Sequence, residues 1–168
     1  VIYIGTFSKA MFAGIRLGYL VVPPHLAESF AKASTKIYRS GSLHMQAALD
    51  DFMHDGYFHQ HIRKMRTEYA SRHELLRSRL QSNFGSALDL SEARAGLLLY
   101  ARFTDDINYQ RLIAESRNEG IILSLPCFIK NIPSLEDRCF VLGFGGVALD
   151  QIEAGVSRFS KAASLSLQ

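Results

Sequence analysis

One stretch constrains this chain more than any other: residues 57–83 run without proline between Gly56 and Gly85. Ile62, Met65, Tyr69, Leu76 and Leu80 fall on one stripe at helical spacing, while arginines and histidines take the rest of the circumference. That pattern predicts a single long helix with one apolar face. At 1.5 Å per residue it runs about 40 Å, more than the ~30 Å diameter of a small domain. A rod of that length is expected to bridge two domains, so the chain divides into a part before the helix and a part after it.

Before the helix, Val1-Ile2-Tyr3-Ile4 is a β-branched apolar run that predicts a buried parallel strand over 1–5, ending at Gly5-Thr6-Phe7-Ser8-Lys9. Its first residue already lies inside a strand pattern, with no initiator methionine and no polar lead-in, so the chain is expected to be a piece of a longer protein. A second strand is predicted over 16–22, ended by Pro23-Pro24. Leu26, Phe30, Ala33 and Ile37 predict a helix over 26–38, and a further helix over 43–53 closes at Asp55-Gly56. Beyond Gly85 the pattern changes to short strands around 86–90, 96–103, 121–125 and 139–144, with helices around 107–119 and 149–163, an α+β arrangement. Residues 164–168 read as a fraying tail.

Composition narrows the classes of function. Of 168 residues, 48% are hydrophobic and 21% charged, with four prolines, which suits a packed globular chain. The net charge of +3 is spread thinly apart from Arg63, Lys64 and Arg66, too weak a footprint for a nucleic-acid interface of its own. Cys127 and Cys139 are too few for a disulfide framework or a four-ligand zinc site, which fits a reducing cytoplasm. No apolar run approaches the roughly 20 residues that span a bilayer, so no membrane role is expected. His59 and His61 point to different faces of a helix and have no carboxylate-rich or cysteine set beside them, and no metal is expected there or at His54. Gly143-Phe144-Gly145-Gly146 lacks the spacing of a dinucleotide loop and reads as a strand-end turn.

Chemistry concentrates in Thr6-Phe7-Ser8-Lys9, with Gly14, Arg16 and Gly18 close behind. A lysine beside two hydroxyls and an arginine offers an amine for a Schiff base and a fork of donors for a phosphate. Those are the two handles of pyridoxal 5′-phosphate. Gly14 and Gly18 would let the backbone turn tightly and bring Arg16 back towards the strand end.

This string resembles the lysine motif of fold-type I pyridoxal-phosphate enzymes, of the aminoadipate-aminotransferase-related branch. Gln46-Ala47-Ala48-Leu49, Phe52, Gly56-Tyr57-Phe58-His59 and His61-Ile62-Arg63-Lys64-Met65-Arg66, with Tyr69 and Arg72, make nearly the whole chain similar to MocR-type transcriptional regulators. These join an N-terminal winged helix-turn-helix of the GntR class to an aminotransferase-like domain. The resemblance implies an α/β chain of aspartate-aminotransferase-like fold, incomplete, with residues 1–56 from the end of the large cofactor domain, 57–84 as interdomain helix and 85–168 as the small α+β domain. It implies that Lys9 carries the cofactor as a Schiff base and that Thr6, Ser8 and Arg16 hold its phosphate. It also implies an amine or amino-acid effector, a homodimer, and contact with DNA only through a helix-turn-helix that these 168 residues do not contain. The family's enzymes place an arginine in a late strand to grip a substrate carboxylate. Val141 stands at that place, Arg138 is the remaining candidate, and Leu98 brings no polar group to the neighbouring strand. Active transamination is therefore doubtful, and a working aminotransferase is the alternative.

Overall fold

In the computed structural model, which describes residues 1–39, 41–92, 96–123 and 139–166, the opening run forms strand β1 (Tyr3–Thr6). Strand β2 (Gly18–Val21) returns antiparallel beside it, pairing Tyr3 with Val21 and Thr6 with Gly18. The expectation of a buried parallel strand is thus corrected. Tyr3, Ile4, Leu20 and Val21 are all exposed, and a chain that comes straight back through a loop with no crossover helix can pair only antiparallel. The β-branched run specified a strand but not its neighbours. Close approach explains one glycine: a Cβ on Gly18 would sit 2.8 Å from the Gly5 carbonyl oxygen.

Helix α1 (Pro24–Tyr38) begins with Pro24 in its first turn, where a missing N–H loses no bond. Helix α2 (Leu43–His54) leads to Gly56, whose φ of +80° suits glycine and turns the chain into helix α3 (Tyr57–Phe84). The helix predicted over 57–83 is therefore present, as one element of 28 residues. By packing, the chain divides inside this helix into two compact units, Val1–Arg66 and Thr67–Gln168.

The second unit holds strands β3 (Leu88–Leu90), β4 (Leu98–Phe103) and β5 (Cys139–Gly143) in an antiparallel sheet of order β3-β4-β5. Helices α4 (Tyr109–Asn118) and α5 (Leu149–Ser166) complete it. Leu99, Ala101 and Phe103 alternate inward from β4, while Leu98 and Arg102 face away, the period of two that a half-buried strand shows. Phe103, Phe140 and Phe159 meet with ring centroids 5.2–6.4 Å apart and, with Leu80, Leu99 and Leu112, form the centre of the core.

Two further expectations change. Residues 121–123 form no strand, and the rest of the strand predicted over 121–125 lies outside the described residues, as do Cys127 and Arg138. The tail expected to fray from residue 164 instead continues α5 to Ser166, which is buried. Its carbonyl accepts from the Asn108 backbone N–H at 3.2 Å and its hydroxyl donates to the Ala162 carbonyl at 2.8 Å, so the helix end is tied down.

Candidate functional site

The lysine motif runs from the last residue of β1, through the loop, to the first residue of β2. Thr6 ends β1, and Lys9 lies three residues beyond it, in a turn closed by Ala10 and Met11 N–H groups donating to the Phe7 carbonyl at 3.1 and 2.8 Å. The lysine therefore stands on an exposed turn and does not itself end a buried strand. The Thr6 hydroxyl oxygen accepts from Ser8 N–H at 3.2 Å and donates weakly to the Leu17 carbonyl at 3.4 Å. That hydroxyl-closed turn places both hydroxyls on the same bend as Lys9.

A single 3-10 turn, Ala13–Ile15, anchors the far side of the loop by burying Ile15. Arg16 comes next with φ 50° and ψ 30°, in the left-handed region that arginine rarely adopts. Neither Lys9 nor Arg16 has a side-chain hydrogen bond or ion pair among the described residues. One loop thus carries a primary amine, a guanidinium and two hydroxyls, with no carboxylate among the described residues paired to either cation. This donor set fits a phosphorylated aldehyde: the amine suits a carbonyl carbon and the guanidinium suits a phosphate.

Aromatic side chains frame the loop. Tyr19 lies across Gly5, with its ring 5.9 Å from Tyr3 and 5.5 Å from Phe7, and the Tyr3 hydroxyl beside it raises the Tyr19 phenol above its usual pKa. Phe7 also meets Phe58 of α3 edge-on at 6.0 Å. One turn further along α3, His61 Nε2 lies 3.0 Å from the Ala10 carbonyl oxygen. A carbonyl only accepts, so Nε2 carries the proton. Phe52 of α2 lies edge-on to the His61 ring at 6.4 Å and stacks on Tyr57 at 5.9 Å. In sequence His61 belongs to the segment that carries the family resemblance, with a solvated basic helix face as the alternative reading, and neither assigns it a contact with the lysine turn. Its spacing from Tyr57 and Phe58, which puts the three on one side of the helix, was the local signal for that contact.

In the second unit, Val141 pairs with Tyr100 across β5 and β4, and Leu98 pairs with Gly143. Opposed residues share a face, so Val141, Leu98 and Tyr100 stand together on the side of the sheet away from the aromatic core. Tyr100 brings a hydroxyl to this face beside the aliphatic Leu98 and Val141. Arg102 on the same face forms an ion pair with Asp89 of β3, and burial pushes the neighbouring Cys139 thiol above its usual pKa, partly opposed by the Arg102 guanidinium. Arg72 of α3 donates to the Gly145 carbonyl at 2.6 Å, pairs with Glu68 at 3.2 Å and lies 5.6 Å from the Tyr69 ring centre, pinning the turn after β5. Among the described residues no three His, Cys, Asp or Glu side chains gather as a metal site, and no helix is long and apolar enough to cross a membrane.

Residues 1–134 match the family model described as aminotransferase class I and II. Among curated proteins the chain is 33% identical over 162 residues to the "Probable rhizopine catabolism regulatory protein MocR" of Rhizobium meliloti, covering 96% of this chain and 33% of that protein. It is 29% identical over 164 residues to the "Uncharacterized HTH-type transcriptional regulator YhdI" of Bacillus subtilis (strain 168), covering 96% of this chain and 34% of that protein. The chain thus spans about a third of the length of the curated relatives it matches. Among solved structures it is similar to the kynurenine aminotransferase of Pyrococcus horikoshii, with a TM-score of 0.87 at 21% identity, covering 100% of this chain and 41% of that one.

Proposed function

We propose that this chain, which belongs to the aminotransferase class I and II family, is part of the cofactor-binding effector domain of a MocR-type transcriptional regulator. Its fold is that of the type I pyridoxal-phosphate aminotransferases. The reading rests most directly on the β1–β2 loop, where Lys9 and Arg16 stand uncommitted among the described residues beside Thr6 and Ser8. When bound, pyridoxal 5′-phosphate supplies an aldehyde that exchanges amines and a ring that withdraws electrons. Lys9 Nζ is the amine that would hold that aldehyde covalently. The Arg16 guanidinium and the Ser8 hydroxyl would hold the cofactor's phosphate, and the Thr6 hydroxyl would join them by turning its proton away from the Leu17 carbonyl, which it meets at 3.4 Å.

The regulator reading is favoured over catalysis by the Val141 face. By the family resemblance, Val141 and Leu98 are aliphatic at strand positions from which the family's enzymes reach a substrate carboxylate, leaving Arg138 as the candidate for that grip. Without a bidentate clamp the bond to be broken is poorly oriented, and misplacement by about 1 Å lowers a rate roughly 100-fold. A regulator tolerates this, because exchange of the amine on Lys9 is enough to bias a conformational equilibrium. The similarity to regulators over 96% of the chain supports the same reading. On this proposal residues 1–56 close the large domain, 57–84 link it to the small domain at 85–168, the full-length protein is a cytoplasmic homodimer, an amine or amino acid is its effector, and DNA is contacted by a separate helix-turn-helix.

Borohydride reduction of the full-length protein with pyridoxal 5′-phosphate should fix one pyridoxyl group on the peptide containing Lys9, absent in Lys9→Ala. Amines should then change the protein's affinity for its own promoter DNA without sustained release of a 2-oxo acid. A pyridoxyl group retained in Lys9→Ala would remove the assignment of the anchor. Efficient multiple turnover of α-amino acids would replace the regulator by an enzyme.

A further inference from the structure

We infer that His61 is a positioning residue for Lys9, holding the lysine turn against helix α3 through the Ala10 carbonyl; this rests on Lys9 being the cofactor anchor. The turn's own bonds leave that carbonyl without a partner. Ala10 and Met11 both donate to Phe7, so the closing bonds converge on the Phe7 oxygen, while the Ala10 oxygen, one residue past Lys9, is directed at His61 Nε2 at 3.0 Å. Phe7, two residues before Lys9, is meanwhile held by the edge of Phe58. The lysine is therefore gripped on both sides of its Cα from a single helix face.

His61 is itself oriented. The edge-on Phe52 ring and the stacked Phe52–Tyr57 pair form a wall that selects the ring plane bringing Nε2 to the carbonyl. Both the neutral Nε2–H tautomer and the imidazolium donate, so the hold persists whichever form is present. A primary amine on four flexible bonds reaches a fixed carbonyl carbon reproducibly only if its Cα is fixed. A loop closed solely by its own turn would let Lys9 swing with Phe7–Met11. The contact also couples any displacement of the turn to α3.

The test uses full-length protein and two substitutions. His61→Phe keeps a ring against Phe52 and removes the donor, whereas His61→Gln keeps an N–H near the Nε2 position. Two quantities are read: amide hydrogen exchange of the 7–15 peptide without cofactor, and the rate at which added pyridoxal 5′-phosphate becomes reducibly attached to Lys9. His61→Phe should exchange faster and attach the cofactor about two- to ten-fold more slowly, the range of one hydrogen bond, with unchanged far-ultraviolet circular dichroism. His61→Gln should recover most of both. Wild-type exchange and attachment in His61→Phe would overturn this inference while leaving Lys9 as anchor. Absence of any Lys9 adduct in the wild-type protein would overturn the functional proposal and this inference with it.

Discussion

Arg16 combines a functional group with an unfavourable backbone. An L-residue in the left-handed region loses roughly 1–2 kcal/mol relative to its relaxed state, and conformations of this kind gather at ligand clamps. Arg16→Gly removes the strain together with the guanidinium, whereas Arg16→Ala removes only the guanidinium, so the pair separates backbone from charge. Both should weaken pyridoxal 5′-phosphate binding by about 1.5–3 kcal/mol, the range for hydrogen bonds to charged groups, in a fluorescence titration of full-length protein. Without cofactor, only the glycine variant should unfold at a higher temperature than wild type. Arg16→Lys should recover part of the affinity, since a point charge lacks the fork. Cofactor affinity equal to wild type in both deletions would show that Arg16 does not hold the phosphate. The identity of Arg16 as a candidate was legible in its spacing from Lys9. Its left-handed backbone, φ 50°, was not, because arginine carries no preference for that region.

Among the elements, α3 was the easiest to read, since its apolar stripe and bounding glycines are local signals. The value of individual positions along it depends on what packs there. Leu80 is fully buried at the base of a half-open apolar pocket of about 150 Å³ that it lines with Leu76, Leu142, Phe144 and Val156. Arg79, one residue earlier, makes an exposed ion pair with Glu153 at 2.9 Å. Leu80→Ala should destabilise the Thr67–Gln168 unit by about 3–5 kcal/mol, since it removes a fully buried side chain from the core. Arg79→Ala should change stability by less than about 1 kcal/mol, as exposed pairs do. Chemical denaturation compares the two directly, and a Leu80→Ala effect no larger than that of Arg79→Ala would mean the core can close over the gap. The first strand was misjudged at the same scale. A β-branched run is compatible with burial on both faces, but β1 has only β2 beside it among the described residues.

Across the molecule, buried apolar side chains are distributed unequally. Among the described residues of Val1–Arg66, only Ile15 and Leu49 are buried hydrophobics, while the aromatic core lies entirely in Thr67–Gln168. Local stability tracks buried contact, so amide exchange in the chain should be slowest in β4, β5 and α5 and much faster in β1, β2 and α1. Equal protection of β1–β2 and β4–β5 would contradict the division. The helical periods, the alternation in β4 and the lysine motif were set by local sequence, because each is written in residues a few positions apart and acts through backbone geometry that nearby side chains control. Tertiary packing alone determined that β2 returns antiparallel on β1, that Ser166 is buried, and that His61 meets Ala10 across 51 positions and Arg72 meets Gly145 across 73. Those pairings depend on where distant elements come to rest when apolar surface is buried, and no local pattern of residues encodes the partner.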